Sequence, residues 1–144
     1  MSACLPIHLV DAPRRCEVRF LRVNEEIPAG LDTGFEQLGH LDRHWVWVLD
    51  VNHKIEGVLL AAPCHGVAFV WRLCVLPNSS TTDVLRLLRG FLASCRERGL
   101  VGYMTLMDLA QPTQERLRGL IERAGGIHQG DFSLMVSAIP KEGT

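Results

Sequence analysis

Residues 67–99 read VAFVWRLCVLPNSSTTDVLRLLRGFLASCRERG, and the rest of the chain is arranged around this stretch. Residues 67–76 are apolar except for Arg72 and rich in valine and aromatic side chains. The run is short for a helix, so it predicts a strand buried on both faces. Pro77 ends it, because proline has no N–H to give to a ladder. Asn78, Ser79, Ser80, Thr81 and Thr82 follow, small polar residues that suit turns and helix caps. Val84, Leu85, Leu88, Phe91, Leu92 and Cys95 then recur at helical spacing, Arg86, Arg89 and Arg96 lie on another face, and Gly99 supplies the stop. A strand, a hydroxyl-rich turn and a helix N-terminus in succession gather backbone N–H groups at one point, as an anion site requires.

Upstream, residues 44–51 (HWVWVLDV) and 54–62 (KIEGVLLAA) predict two strands joined at Asn52 and His53, since asparagine tolerates a positive φ. Pro63, Cys64, His65 and Gly66 predict the next turn, which makes residues 44–76 an antiparallel meander. Residues 16–23 alternate as a half-buried strand, residues 7–10 suggest a short one, 24–34 form a loop, and 35–41 suit one or two helical turns. Downstream, residues 100–106 predict a strand. Pro112 opens a helix carrying Leu117, Leu120, Ile121 and Ala124, Gly125 and Gly126 close it, and residues 132–139 make a last strand. The expected architecture is one α/β (α+β) domain over residues 1–144, with a mixed, mainly antiparallel sheet flanked by helices on both faces.

The chain has 144 residues, enough for one domain that buries about two-thirds of its unfolded surface. Apolar residues make up 47% and charged ones 22%, an ordinary balance for a globular protein. A formal charge of −1 gives no electrostatic case for nucleic acid or an anionic membrane surface. No apolar run approaches the ~20 residues of a membrane span. Five cysteines without paired spacing fit free thiols in a reducing cytoplasm. Strands rich in valine and tryptophan also suggest pairing between subunits, hence a homodimer.

Val75, Leu76 and Pro77, followed by a polar turn that opens a helix, resemble the acyl-CoA-binding core of the GNAT superfamily of N-acyltransferases. The order of elements over residues 44–139 resembles that family too, including the late helix closed by Gly125 before a last strand. The resemblance implies acetyl-CoA or another acyl-CoA as cofactor, pantetheine paired with backbone near Val75, and an amine acceptor on a small molecule or peptide. It places cofactor binding on Val75, Ser79, Ser80, Thr81, Thr82, Asp83 and Val84. It also implies two substantial helices between the first two strands, where this chain is short. Counted without a gap, the family's basic or glutamine position falls on Ser80, and its two small positions fall on Asp83 and Leu85. Many family members place an acidic tyrosine four residues before the terminal glycine of the last helix. Here that position is Ile121, and the single tyrosine, Tyr103, lies in the preceding strand. No catalytic residue is assigned.

The residues themselves support two accounts of the turn. In one, its N–H groups and hydroxyls hold a pyrophosphate; in the other, Ser80 caps the helix and Asp83 reaches back. The Asp83 carboxylate would lie close to a phosphate bound there and repel it. Cys64 and His65 point to opposite faces and make no dyad, and His40, His44 and His53 lack the spacing of zinc ligands. Asp50 and Glu56 flank the hairpin as solvated carboxylates, either of which could act as a base through water. Arg72, inside an interior strand, needs an anionic partner, and Asp50 or Glu56 is the expected one. Three functions stay open: an acyl-CoA N-acyltransferase, a GNAT-fold binding module without CoA, and an acyltransferase using a non-CoA donor.

Overall fold

The computed structural model describes residues 13–31, 42–107 and 112–131. Five strands form one sheet in sequence order: β1 (Cys16–Phe20), β2 (Val46–Val51), β3 (Lys54–Cys64), β4 (Val67–Val75) and β5 (Tyr103–Thr105). The first four pair antiparallel and β5 pairs parallel with β4, so the sheet is mixed and mainly antiparallel, as expected. Helix α1 (Thr81–Glu97) joins β4 to β5, and α2 (Pro112–Arg123) follows β5. The expected strands at 7–10 and 132–139 and the helical turns at 35–41 lie outside the described residues.

Turn chemistry sets the meander. Asn52 and His53 both take positive φ (52° and 68°), the two-residue turn that matches strand twist. The next turn is tighter than the sequence predicts. Pro63 and Cys64 belong to β3, opposite Ala68 and Val67, and only His65 and Gly66 (φ 49° and 85°) make the bend. The other differences are at ends: β1 stops at Phe20, and β5 keeps only Tyr103–Thr105 of the expected 100–106.

Every residue of β2 is buried, because the strand is covered on both faces. On one face Trp47, Leu49 and Val51 pack with Val84, Leu87 and Phe91 of α1 and Leu117 and Leu120 of α2. Both described helices therefore share this face. On the other, Val46, Val48, Val58 and Leu60 pack under Leu31, Leu21 and Ile27 from the segment after β1. Trp47 lies at the centre of the first core, edge-on to Phe91 at 4.9 Å, with its Nε1–H donated to Ser94 Oγ at 2.9 Å.

Helix α1 comes close to β1 at Gly90. A Cβ there would lie 2.6 Å from Val18 Cγ1 and 2.9 Å from Val18 Cβ. Alanine improves helix propensity by about 1 kcal/mol over glycine, but overpacking a core costs about 1–3 kcal/mol. The clash wins. Gly90→Ala is expected to lower stability by about 1 kcal/mol, and Val18→Ala in the same chain to recover part of that loss. A denaturation midpoint for Gly90→Ala above the wild type's would show that α1 can lift off β1 freely.

Candidate active site

The site begins with a break in pairing. Strand β5 follows β4 only through Ala68↔Tyr103, Phe69↔Met104 and Val70↔Thr105. Among the described residues the β4–β5 ladder stops at Val70, five residues before the end of β4, so the sheet opens between these two strands. At the same place β4 carries an extra residue. Leu60 pairs with Arg72 and Ala61 with Val70, which leaves Trp71 as a bulge.

Helix α1 starts directly beyond this opening. Ser80 is its N-cap, and its Oγ accepts the Asp83 N–H at 3.1 Å, while Ser80 O accepts Val84 N–H at 3.1 Å. Thr81 and Thr82 are the first two residues of α1, where N–H groups have no acceptor within the helix, and both residues are exposed. A helix N-terminus concentrates positive potential on such free donors. Ser79 is 8% exposed, and its Oγ is buried without a hydrogen-bond partner among the described residues. Val75 ends β4 in the core and Val84 is fully buried, so those two can offer a ligand only backbone.

Asp83 departs from the expectation of a carboxylate facing bound phosphate. It is 2% exposed and turned towards the start of β1, where Arg14 donates through Nη1 to Oδ1 at 3.0 Å and through Nη2 to Oδ2. The Cys16 thiol lies 3.6 Å from Oδ1 and Arg86 Nη1 3.9 Å from it. Arg14 holds the Asp83 carboxyl below the usual carboxylate range. Ser80 therefore caps the helix as the sequence predicts, while the Asp83 carboxylate serves chiefly to anchor the residues before β1.

Two residues unremarked in the sequence complete the site, both from the first five residues of α2. Gln114, 9% exposed, donates Nε2–H to Leu73 O on β4 at 3.2 Å. Arg116 donates Nη2–H to Ser79 O at 2.6 Å, which brings a guanidinium to a turn that has no basic residue of its own. Their arrival follows from topology. Parallel strands β4 and β5 end at the same side of the sheet, so the helices that follow begin there together. The signal in the sequence was the repeated strand-helix order itself.

The remaining candidates are placed elsewhere. Asp50 is not solvated: it is 5% exposed and accepts Arg19 Nε–H at 3.0 Å, and Arg19 also grips Glu25 through two bonds of 2.8 Å. Asp50 is thus a partner of Arg19. Arg72, half-buried, stands opposite Leu60 on the face covered by residues 21–31. Tyr103 packs edge-on to Phe91 at 5.6 Å, and burial raises its hydroxyl pKa, which makes it a sheet residue. Ile121 joins the apolar core. Among the described residues no group of His, Cys, Asp or Glu side chains gathers as a metal site, and no helix is long and apolar enough to cross a membrane.

No family model and no curated protein sequence matches the chain. Solved structures do match. The ribosomal-protein-S18-alanine N-acetyltransferase of Escherichia coli superposes with a TM-score of 0.59 at 13% identity, over 77% of each chain. An aminoglycoside acetyltransferase from an uncultured soil metagenomic sample, in complex with trehalose, gives 0.57 at 13% identity, over 87% of this chain and 97% of that one. N-acetylglutamate synthase from Neisseria gonorrhoeae, complexed with coenzyme A and N-acetyl-glutamate, gives 0.50 at 16% identity, over 77% of this chain and 33% of the larger one. At such identities the likeness is one of fold. The chain has the GNAT-type N-acetyltransferase fold.

Proposed function

We propose that the protein is an acyltransferase that moves an acetyl or longer acyl group from an acyl-CoA to an amine on a small molecule or peptide. The observation that carries the reading is the opening beyond Val70, with the free amides of Thr81 and Thr82 at its end and Arg116 beside them. These groups fit the cofactor chemically. The α1 N-terminus and Arg116 offer donors and positive charge to a pyrophosphate, with Ser79 and Ser80 shaping the turn. Leu73 and Val75 offer strand-like backbone to a pantetheine arm. Asp83, neutralised by Arg14, does not oppose an anion as an exposed carboxylate would.

An acyl-CoA held there supplies a thioester carbonyl for the acceptor amine to attack. The chain's own contribution is positioning: the backbone of Leu73 and Val75 orients the donor, while their buried side chains, like Ile121, fix the strand and α2 in the core. With Ile121 where a tyrosine acid is common, a proton for the departing thiolate comes from water or from the acceptor. The four described cysteines are free, which accords with action in a reducing cytoplasm. A binding module without CoA is the second reading, favoured by the occupied Leu73 carbonyl.

Calorimetric titration with CoA and acetyl-CoA decides between them. The enzyme reading expects micromolar binding to the wild type, weakened about tenfold in Arg116→Met, because a charge-assisted contact to phosphate is worth about 1.5–3 kcal/mol at most. Absence of heat with either compound would leave the binding module. Equal affinity in Arg116→Met would remove Arg116 from the site while leaving the helix N-terminus.

A further inference from the structure

We propose that Gln114 is a latch on the open edge of β4, and that its side chain must leave Leu73 O before the extended arm of an acyl donor can pair with that strand. The inference rests on the acyl-CoA reading and adds to it a closed state of the same groove.

Strand parity carries the argument. Before the bulge, Ala68 and Val70 turn their backbone groups towards β5: Ala68 N–H donates to Gly102 O at 3.0 Å, and Thr105 Oγ1–H reaches Val70 O at 3.4 Å. The extra residue Trp71 reverses this alternation. Past the bulge, Leu76 N–H donates to Glu56 O on β3 at 3.0 Å, so even-numbered residues now face β3 and Leu73 and Val75 face the opening. No strand among the described residues receives them, because β5 pairing stops at Val70. Gln114 has taken one of these groups. Its Nε2–H bonds Leu73 O at 3.2 Å in a buried setting, where an unmet carbonyl would be costly. Its primary amide stands in for the N–H that a further strand, or an amide-bearing ligand, would present. Arg116, two residues on, holds the same turn of α2 against Ser79 O. The start of α2 therefore closes the groove at two points.

The ligand class follows from what the latch imitates. It is an extended chain bearing secondary amides, as pantetheine is, and not the nucleotide end of CoA, which the α1 N-terminus would meet. CoA and adenosine 3′,5′-bisphosphate, which lacks the pantetheine arm, are titrated into the wild type, Gln114→Ala and Gln114→Met. Gln114→Met keeps side-chain size and helix propensity and adds no charge, so α2 is preserved. Both variants are expected to bind CoA about fivefold more tightly, the equivalent of one neutral hydrogen bond no longer displaced, with unchanged affinity for the bisphosphate. CoA binding confined to the variants would support the latch more strongly still. Unchanged or weaker CoA affinity beside normal bisphosphate binding overturns the latch and leaves the anion site standing. Failure of all three proteins to bind either compound overturns both. In the wild type, saturating CoA is also expected to move the Gln114 side-chain amide resonance towards that of solvated glutamine. A resonance that stays in place while CoA binds overturns the latch without recourse to any variant.

Discussion

Replacing Arg19 by methionine is expected to lower stability by about 3 kcal/mol, because it leaves a buried carboxylate without its cation. Arg19 lies on the same face of the sheet as Val48, its partner across the β1–β2 ladder, and its guanidinium sits between two acids. Its Nε–H bonds Asp50, whose side chain is 6% exposed, and its two Nη groups clasp Glu25, whose side chain is 23% exposed. Glu25 is held at about 2, well below its ordinary 4.5, chiefly by those bonds to Arg19 and also by the Arg22 N–H. A depressed carboxylate contributes stability that is fully present above the unfolded-state value and is lost as pH falls through the folded-state value. The window here runs from about 4.5 down to about 2. After allowance for solvent screening, Glu25 contributes about 1 kcal/mol of this. Urea denaturation at pH 7 and pH 3 tests both statements: the gap between wild type and Arg19→Met is wide at pH 7 and narrows at pH 3. Equal midpoints at pH 7 would mean that water reaches Asp50 when the guanidinium is gone.

Phe91→Ala is the second large loss, about 3–5 kcal/mol, the usual range for emptying a fully buried aromatic position. Phe91 is 0% exposed and stands between Trp47 of β2 at 4.9 Å and Tyr103 of β5 at 5.6 Å, both edge-on. It seats the middle of α1 on the sheet, so its removal loosens the element whose N-terminus forms the candidate anion site. The expected result is a lower denaturation midpoint together with faster amide exchange in the first turn of α1. Phe91→Leu, which keeps most of the volume, is expected to recover much of the stability. Protected amides at Asp83 and Val84 in Phe91→Ala would show that the start of α1 is held by Ser80 independently of the core.

The divide between what the residues announce and what they conceal follows the range of the interactions. Residues 67–99 declare a strand, a capped turn and a helix through local means: an apolar run, a proline, hydroxyls before a 3.6-residue repeat, and a glycine stop. Asn52 and His53 declare a hairpin in the same way, since a positive φ is a property of the residue and its neighbours. Val75 and Ser80 could thus be placed at a strand end and a helix cap without any structure. Asp83 could not. Its position in the first helical turn suggested a capping acid facing a ligand, but its carboxylate is turned to Arg14, 69 residues earlier in the chain. Asp50 looked solvated beside a turn until Arg19 and the covering segment at 21–31 buried it. Gln114 and Arg116 carried no signal of their own beyond the repeated strand-helix order, because side chains that reach back 41 and 37 residues gain meaning only once β4 and β5 run parallel and bring two helix starts to one edge. Local periodicity specifies elements, since each depends on a few consecutive residues. Partners for buried charge and for open strand edges depend on which elements meet, and that is settled only when the sheet assembles and its helices pack.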